Sequence, residues 1–182
     1  MLENKAASRY AKSLLDLSVE RHALEEVRDD MALIVEVIDS YPELEAILKN
    51  PIVPLDKKTG ILSGLFDGKV NAITSAFFRQ LVRKGRSSIL FGASRAFITQ
   101  YNAKKGIVTA DVTSASQLSE SSLSEIITIV KRETGASEVV LKQKIDEKLI
   151  GGFILKVGDR QFDASILHGL NKLKREFAQG IA

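Results

Sequence analysis

The 182-residue sequence contains no cysteine and no tryptophan, and it has only three prolines and two histidines. Without cysteine, the chain cannot form a disulfide, use a thiolate nucleophile or bind a metal through sulfur. No apolar run approaches the roughly 20 residues that a membrane-spanning helix needs. The opening MLENKAASRYAK also lacks the apolar core of a secretory signal. If this protein acts at a membrane, we expect it to do so through a partner.

A strong excess of charge of one sign is also missing, since the formal net charge is only +3. Residues 1–105 carry 16 basic and 13 acidic residues, and residues 106–182 carry ten of each. Neither region therefore has the bulk charge of a polyanion-binding domain. The hydrophobic fraction of 45% and the charged fraction of 27% are instead typical of a folded globular protein.

Apolar residues recur at helical spacing through residues 1–105. In the first stretch, Tyr10, Leu14 and Leu17 fall on one face, as in an amphipathic helix. Proline and glycine breaks, together with a restart of the apolar pattern at Leu24, divide the region into six such stretches, of which the fifth runs from Val70 to Val82. We therefore predict six helices that are joined by short connections and packed as a bundle.

At Gly106 the pattern changes from helical spacing to alternation. Residues 107–113 are rich in β-branched side chains, which favours a strand. The serine-rich stretch that follows predicts a cap and a helix ended by Gly135. The remaining segments are predicted as two longer strands, a short strand and a closing helix: Val139–Ile145, Phe153–Val157, Gln161–Phe162 and the residues after Asp163. The predicted class is α+β, mostly α, with an N-terminal six-helix bundle at 1–105 and a small α/β domain at 106–182.

Two features of the second region resemble chemical sites. The pair Gly151–Gly152 has the backbone freedom to approach a phosphate, but no third glycine opens a helix as a dinucleotide-binding loop requires. Asp146, Asp159 and Asp163 carry the carboxylates of a metal site, yet Asp159 beside Gly158 fits a turn and Asp163 fits a helix cap. We interpret these glycines and aspartates as structural. No catalytic, cofactor-binding or metal site is expected, and no cofactor.

A cluster of basic residues supports a different function. Arg79, Arg83, Lys84 and Arg86 lie around the end of the fifth predicted helix, and the sequence pI is near 9.1. Such a cluster contacts phosphates in a nucleic-acid-binding or ribosome-associated module. Cations at a helix C-terminus also interact favourably with the helix dipole, and no aromatic residues interleave for base stacking. A basic nucleic-acid- or ribosome-associated module is therefore the alternative function.

The first and fifth helices carry more apolar surface than one packing face requires. In the fifth, Phe78 and Val82 widen the stripe that Ile73, Phe77 and Leu81 already form. Small residues beside aromatic ones favour a groove into which a partner helix lays its apolar face. The other interpretation is that both helices are simply the most buried ones.

Several motifs occur together in the order and spacing of one known family. They are Ala7-x-Arg9-Tyr10-Ala11-Lys12, Leu48-x-Asn50-Pro51, Leu149-Ile150-Gly151-Gly152-Phe153, Val157-Gly158-Asp159 and Asp163-Ala164-Ser165-Ile166. Across the whole chain, the sequence resembles the delta subunit of F-type ATP synthases. The mitochondrial equivalent of that subunit is the oligomycin-sensitivity-conferring protein.

The resemblance implies a non-catalytic subunit of the peripheral stalk, or stator, which keeps the catalytic head from turning with the rotor during proton-driven ATP synthesis. Its helical domain would bind the N-terminal helix of the alpha subunit, and its second domain the C-terminal end of the b subunit. Nucleic acid is not an implied partner. The implied location is peripheral, on the cytoplasmic face of a bacterial cell membrane, which the lack of a visible transit segment also favours. The implied alpha-binding residues lie on the first and fifth helices: Tyr10, Ser13, Leu14, Ile73, Ala76, Phe77 and Gln80.

Overall fold

A computed structural model describes residues 2–146, 149–166, 168 and 170. The chain separates into two compact units, Met1–Asn102 and Ala103–Ala182. The helices are α1 (Leu2–Glu20), α2 (Leu24–Ser40), α3 (Pro42–Lys49), α4 (Leu55–Phe66), α5 (Ala72–Arg83), α6 (Leu90–Lys105) and α7 (Glu120–Thr134). The strands are β1 (Ile107–Ser114), β2 (Glu138–Ile145), β3 (Phe153–Val157) and β4 (Arg160–Asp163). The predicted class, mostly helical α+β, is confirmed.

The helices of the first unit follow the predicted breaks, with one difference at α5. The pattern predicts a start at Val70, but the helix begins at Ala72 because Asn71 caps it. The Asn71 side chain accepts a hydrogen bond from the backbone N–H of Ile73 at 2.9 Å, which satisfies one of the unpaired donors of the first turn. Val70 therefore precedes the helix and does not extend its apolar stripe.

The core of the first unit is formed by side chains from several helices. Val27, Met31 and Ile34 of α2 are fully buried, and so is Phe97 of α6. In the part of the chain that the structure describes, no helix is long and apolar enough to cross a membrane.

The second unit contains a four-stranded sheet with the order β2-β1-β3-β4. β1 pairs in parallel with β2, and β3 is antiparallel to both β1 and β4. The core contains residues of β1, β3 and α7: Ala110, Val112, Leu155, Ile126 and Val130. Ser119 caps α7, and Gly135 ends it in the left-handed conformation with a φ of 68°. Both caps agree with the sequence prediction.

Candidate partner-binding groove

The α5 helix has two apolar faces with different exposure. Phe78, Leu81 and Val82 are buried, and the Phe78 ring packs against the Phe66 ring at a centroid distance of 5.5 Å. Ile73 and Phe77 are only half-buried, although the sequence pattern placed them on the main stripe. Phe78 and Val82, which widen the predicted stripe, therefore belong to the core face together with Leu81, whereas Ile73 and Phe77 remain partly accessible.

The α1 helix divides in the same way. Ala7, Ala11 and Leu15 are buried in the core of the first unit. Tyr10, one residue before Ala11, is half-buried, and Leu17 keeps 39% of its surface exposed. An exposed leucine beside a half-buried tyrosine leaves apolar surface that the described residues do not cover.

These accessible faces of α1 and α5 form one groove of about 720 Å³. All seven residues that the family resemblance implied for alpha binding line it: Tyr10, Ser13, Leu14, Ile73, Ala76, Phe77 and Gln80. Leu17, Arg21, Ala72 and Lys84 line it as well. Leu17 belongs to the predicted apolar stripe of α1, so periodicity could have added it. Arg21 and Lys84 follow the ends of their helices, where periodicity provides no signal.

Tyr10 is held in place from two sides. Its ring lies 6.4 Å from the Phe77 ring, with an interplanar angle of 59°, which is a favourable tilted aromatic contact. The Arg86 guanidinium lies over the same ring at 5.6 Å, and its Nη1 donates a hydrogen bond to the tyrosine hydroxyl at 2.7 Å. The tyrosine therefore presents a positioned apolar surface to the groove, with its polar atom already paired.

The polar group of Ser13 is also paired within α1. Its hydroxyl donates to the backbone carbonyl of Arg9 at 3.1 Å. Ser13 thus behaves as a small residue, and a partner helix would lose no hydrogen bond by packing against it. Groove residues of this kind permit close approach of a partner.

The N-terminal end of α5 is fixed by carboxylates of α2. Asp30 is buried and accepts hydrogen bonds from the backbone N–H of Asn71 at 2.8 Å and from the Thr74 hydroxyl at 2.6 Å. The side-chain amide of Asn71 donates to Glu26 at 2.5 Å. Hydrogen bonds to charged groups contribute about 1.5–3 kcal/mol each when buried. The wall of the groove is therefore held against the core by polar contacts that periodicity does not predict.

In the second unit, Gly151 and Gly152 pack against the connection that follows β4. Gly152 has a φ of +78°, and a Cβ placed on it would lie 2.3 Å from the backbone oxygen of Ala164. The Gly151 carbonyl accepts a hydrogen bond from the N–H of Ile166 at 3.0 Å. A side chain at Gly152 would therefore collide with the protein's own backbone, which is a structural reason for glycine at this position.

The turn between β3 and β4 contains Gly158 and Asp159, and Gly158 has a φ of +57°. Only glycine adopts such a conformation without strain. Among the described residues, no group of three or more histidine, aspartate or glutamate side chains is arranged to hold a metal ion.

Asp163 lies two positions before the cap of the closing helix. The Oγ of Ser165 accepts from the N–H of His168 at 3.2 Å, so Ser165 is the capping residue. Asp163 instead accepts from the N–H of Ser165 at 3.0 Å. Hydrogen bonds from the hydroxyl and N–H of Ser165 lower the pKa of the Asp163 carboxyl. The prediction of Asp163 as the cap is therefore corrected by two residues. Residues 166, 168 and 170 are helical, and the rest of the predicted closing helix lies outside the described residues.

Comparisons with known proteins identify similar sequences and a similar fold. The sequence model described as "ATP synthase delta (OSCP) subunit" matches residues 6–177. The chain is 41% identical to the ATP synthase subunit delta of Cytophaga hutchinsonii over 181 residues, which cover 100% of this chain and 98% of that protein. It is 37% identical to the ATP synthase subunit delta of Chlorobaculum tepidum over 169 residues, 93% of each chain. A chain in the cryo-EM structure of the Toxoplasma gondii mitochondrial ATP synthase hexamer has a similar fold, with a TM-score of 0.73 at 19% identity over 94% of this chain and 97% of that one.

Proposed function

The chain belongs to the ATP synthase delta (OSCP) subunit family, and from this premise we propose that it ties the catalytic head of an F-type ATP synthase to the b-subunit stalk. Membership of the family makes it a non-catalytic subunit of the peripheral stalk. In this role it resists the torque of the rotor during proton-driven ATP synthesis. Its site of action is the cytoplasmic face of the membrane, which it reaches through the complex.

The first contact is between the groove and the N-terminal helix of the alpha subunit. In this proposal α1–α6 act as one six-helix bundle that presents the groove. The observation that carries the proposal is that seven family-implied residues on two helices line one apolar groove. A groove between two helices, lined by aromatic and small side chains, is the surface on which an amphipathic helix binds.

The chemistry of the groove suits a static link. A stator contact must dissociate slowly, and slow dissociation comes from desolvated apolar anchors more than from exposed charges. Tyr10 and Phe77 are such anchors, since their rings contact each other and each is only partly buried.

The second contact is between the α/β unit, residues 106–182, and the C-terminal end of the b subunit. This assignment rests on family membership. Co-purification of the alpha and b subunits with the full chain tests it, and loss of b alone on disruption of the β2–β1–β3 sheet would place that contact in the second unit.

The groove is tested by changing Phe77 or Tyr10 to aspartate and titrating the full chain with a synthetic peptide of the alpha-subunit N-terminus in a calorimeter. A buried, unpaired carboxylate costs several kcal/mol, so we expect affinity to fall at least about a hundredfold. Tyr41→Asp is the matched control, because Tyr41 is 64% exposed and does not line the groove. Unchanged affinity in a Phe77→Asp protein with an unaltered circular dichroism spectrum would exclude the groove as the alpha site.

A further inference from the structure

The groove between α1 and α5 carries a cation at each of its ends. Arg21 and Lys84 both line it, and both are exposed. The lining residues include no aspartate and no glutamate. Neither Arg21 nor Lys84 forms an ion pair with a carboxylate in the part of the chain that the structure describes.

The positions of the two cations follow from the geometry of the helices. Arg21 lies about three helical turns, or roughly 16 Å, beyond Tyr10 along α1. Lys84 is two residues before Arg86, whose guanidinium contacts Tyr10. Lys84 is therefore at the Tyr10 end of the groove, and Arg21, which also lines it, is at the other end. The apolar lining of Tyr10, Leu14, Leu17 and Phe77 lies between them.

Positive charge is reinforced at the Tyr10 end. Arg9 and Arg86 line a cavity that adjoins the groove through their shared neighbour Tyr10. A cation near an apolar surface is incompletely hydrated on one side, and a carboxylate placed there gains from the reduced local dielectric. An acidic group on a bound helix would therefore be attracted to either end of the groove.

We propose that the groove selects an amphipathic partner helix that carries a carboxylate at each end of its apolar stripe, and that Arg21 and Lys84 pair with those two carboxylates. The inference rests on the proposed function, because it takes the N-terminal helix of the alpha subunit as the occupant. Tyr10 and Phe77 supply most of the affinity. The cations fix which way the helix lies and how far it slides along the groove, since rim charges act mainly on orientation and association rate.

The test compares Arg21→Gln, Lys84→Gln and the double variant with the controls Lys12→Gln and Arg79→Gln, which change exposed cations of α1 and α5 that do not line the groove. The probe is the synthetic N-terminal peptide of the alpha subunit, titrated into the full chain at about 50 mM and 300 mM salt. Each groove variant should weaken binding by about two- to fivefold at low salt, in the range of exposed ion pairs. The double variant should lose most of the salt dependence of the wild type, and the controls should bind like wild type.

In a second peptide, the two acidic residues at the ends of the apolar stripe are replaced by the corresponding amides. This peptide tests the pairing with Arg21 and Lys84 directly. It should bind wild type as weakly as the unmodified peptide binds the double variant, and the double variant should not distinguish the two peptides. Equal binding of both peptides by wild type would overturn the pairing, whatever the variants do. If Phe77→Asp still abolished binding in that case, the groove would stand and only the cations would be excluded. If Phe77→Asp also left binding intact, the proposed function of the groove would fail as well.

Discussion

The groove of the first unit and the glycine-rich segment of the second differ in the kinds of residue that form them. Gly151, Gly152 and Asp163 are distinctive in the sequence, and each of them contacts the residues that follow β4. Tyr10 and Phe77 belong to ordinary apolar stripes, yet they line the apolar groove between α1 and α5. Distinctive residue types thus mark a fold requirement here, whereas the candidate groove is lined by common residue types.

The comparison is tested most strongly by the adjacent residues Phe78 and Phe77. Phe78→Ala should destabilise the first unit by about 3–5 kcal/mol, because its buried ring packs on Phe66. Phe77→Ala should change stability by less than about 1 kcal/mol but weaken binding of the alpha peptide roughly tenfold or more. Chemical denaturation and calorimetric titration measure the two effects. A large stability loss for Phe77→Ala would make its face part of the core.

Substitutions at Gly152 and Gly158 distinguish the stability cost of a steric clash from the cost of a positive φ alone. Gly152→Ala places a Cβ 2.3 Å from the Ala164 oxygen at a positive φ, whereas Gly158→Ala has the positive φ but no heavy atom within 4 Å. We expect Gly158→Ala to cost about 1–2 kcal/mol and Gly152→Ala to cost clearly more. Thermal unfolding measures both, and neither variant should alter affinity for the alpha peptide. Reduced affinity in a folded Gly152→Ala protein would contradict the division between the two regions.

The helix cap at Ser165 should have a smaller effect. Ser165→Ala removes the acceptor for the His168 N–H and should destabilise the second unit by about 1 kcal/mol. Thr128→Ala is the control, because the Thr128 hydroxyl is exposed and bonds only to its own helix at Ser124. Equal melting temperatures for the two variants would contradict the capping role.

The smallest expected effect is a pH dependence from Asp163. Hydrogen bonds lower the pKa of its carboxyl in the folded protein, so its contribution is complete above the ordinary aspartate pKa of about 3.9 and is lost as pH falls through the lower folded value. Asp163→Asn should therefore flatten the stability profile below about pH 4 and leave the profile near neutral pH unchanged in shape. An NMR titration of the Asp163 carboxyl carbon gives the pKa directly, and an ordinary value would exclude this contribution.

Helical periodicity predicted the helices of the first unit well, because a proline or glycine lies just after most of them. The exception is α1, which ends at Glu20 without either residue nearby. On α5, periodicity did not distinguish the buried face from the accessible one. Ile73 and Phe77 of its predicted main stripe are partly accessible, but Leu81 of the same stripe is buried, and so are Phe78 and Val82, the residues predicted to widen it. A helix with two apolar faces does not record in its own sequence which face meets the core. That choice depends on Phe66 of α4 and on the Asp30 carboxylate of α2.

The predicted cap of the closing helix was also at the wrong position. Asp163 and Ser165 both carry side chains that accept backbone hydrogen bonds, so composition alone supports either. Strand β4 ends at Asp163 because it pairs with Ile154, and this pairing leaves Ser165 as the first position free to cap. The register of the sheet, not the residue type, therefore determines that the serine caps the helix.

The sequence by itself determined where the helices and strands lie, the left-handed turns at Gly135, Gly152 and Gly158, and the family to which the chain belongs. These depend on short-range sterics and on residue order, which the chain carries locally. Only the tertiary structure decided that Tyr10 and Phe77 face each other across a groove and that Arg21 and Lys84 stand at its two ends. Those relations join residues more than sixty positions apart, and they arise because α1 and α5 each bury one face and leave the other uncovered.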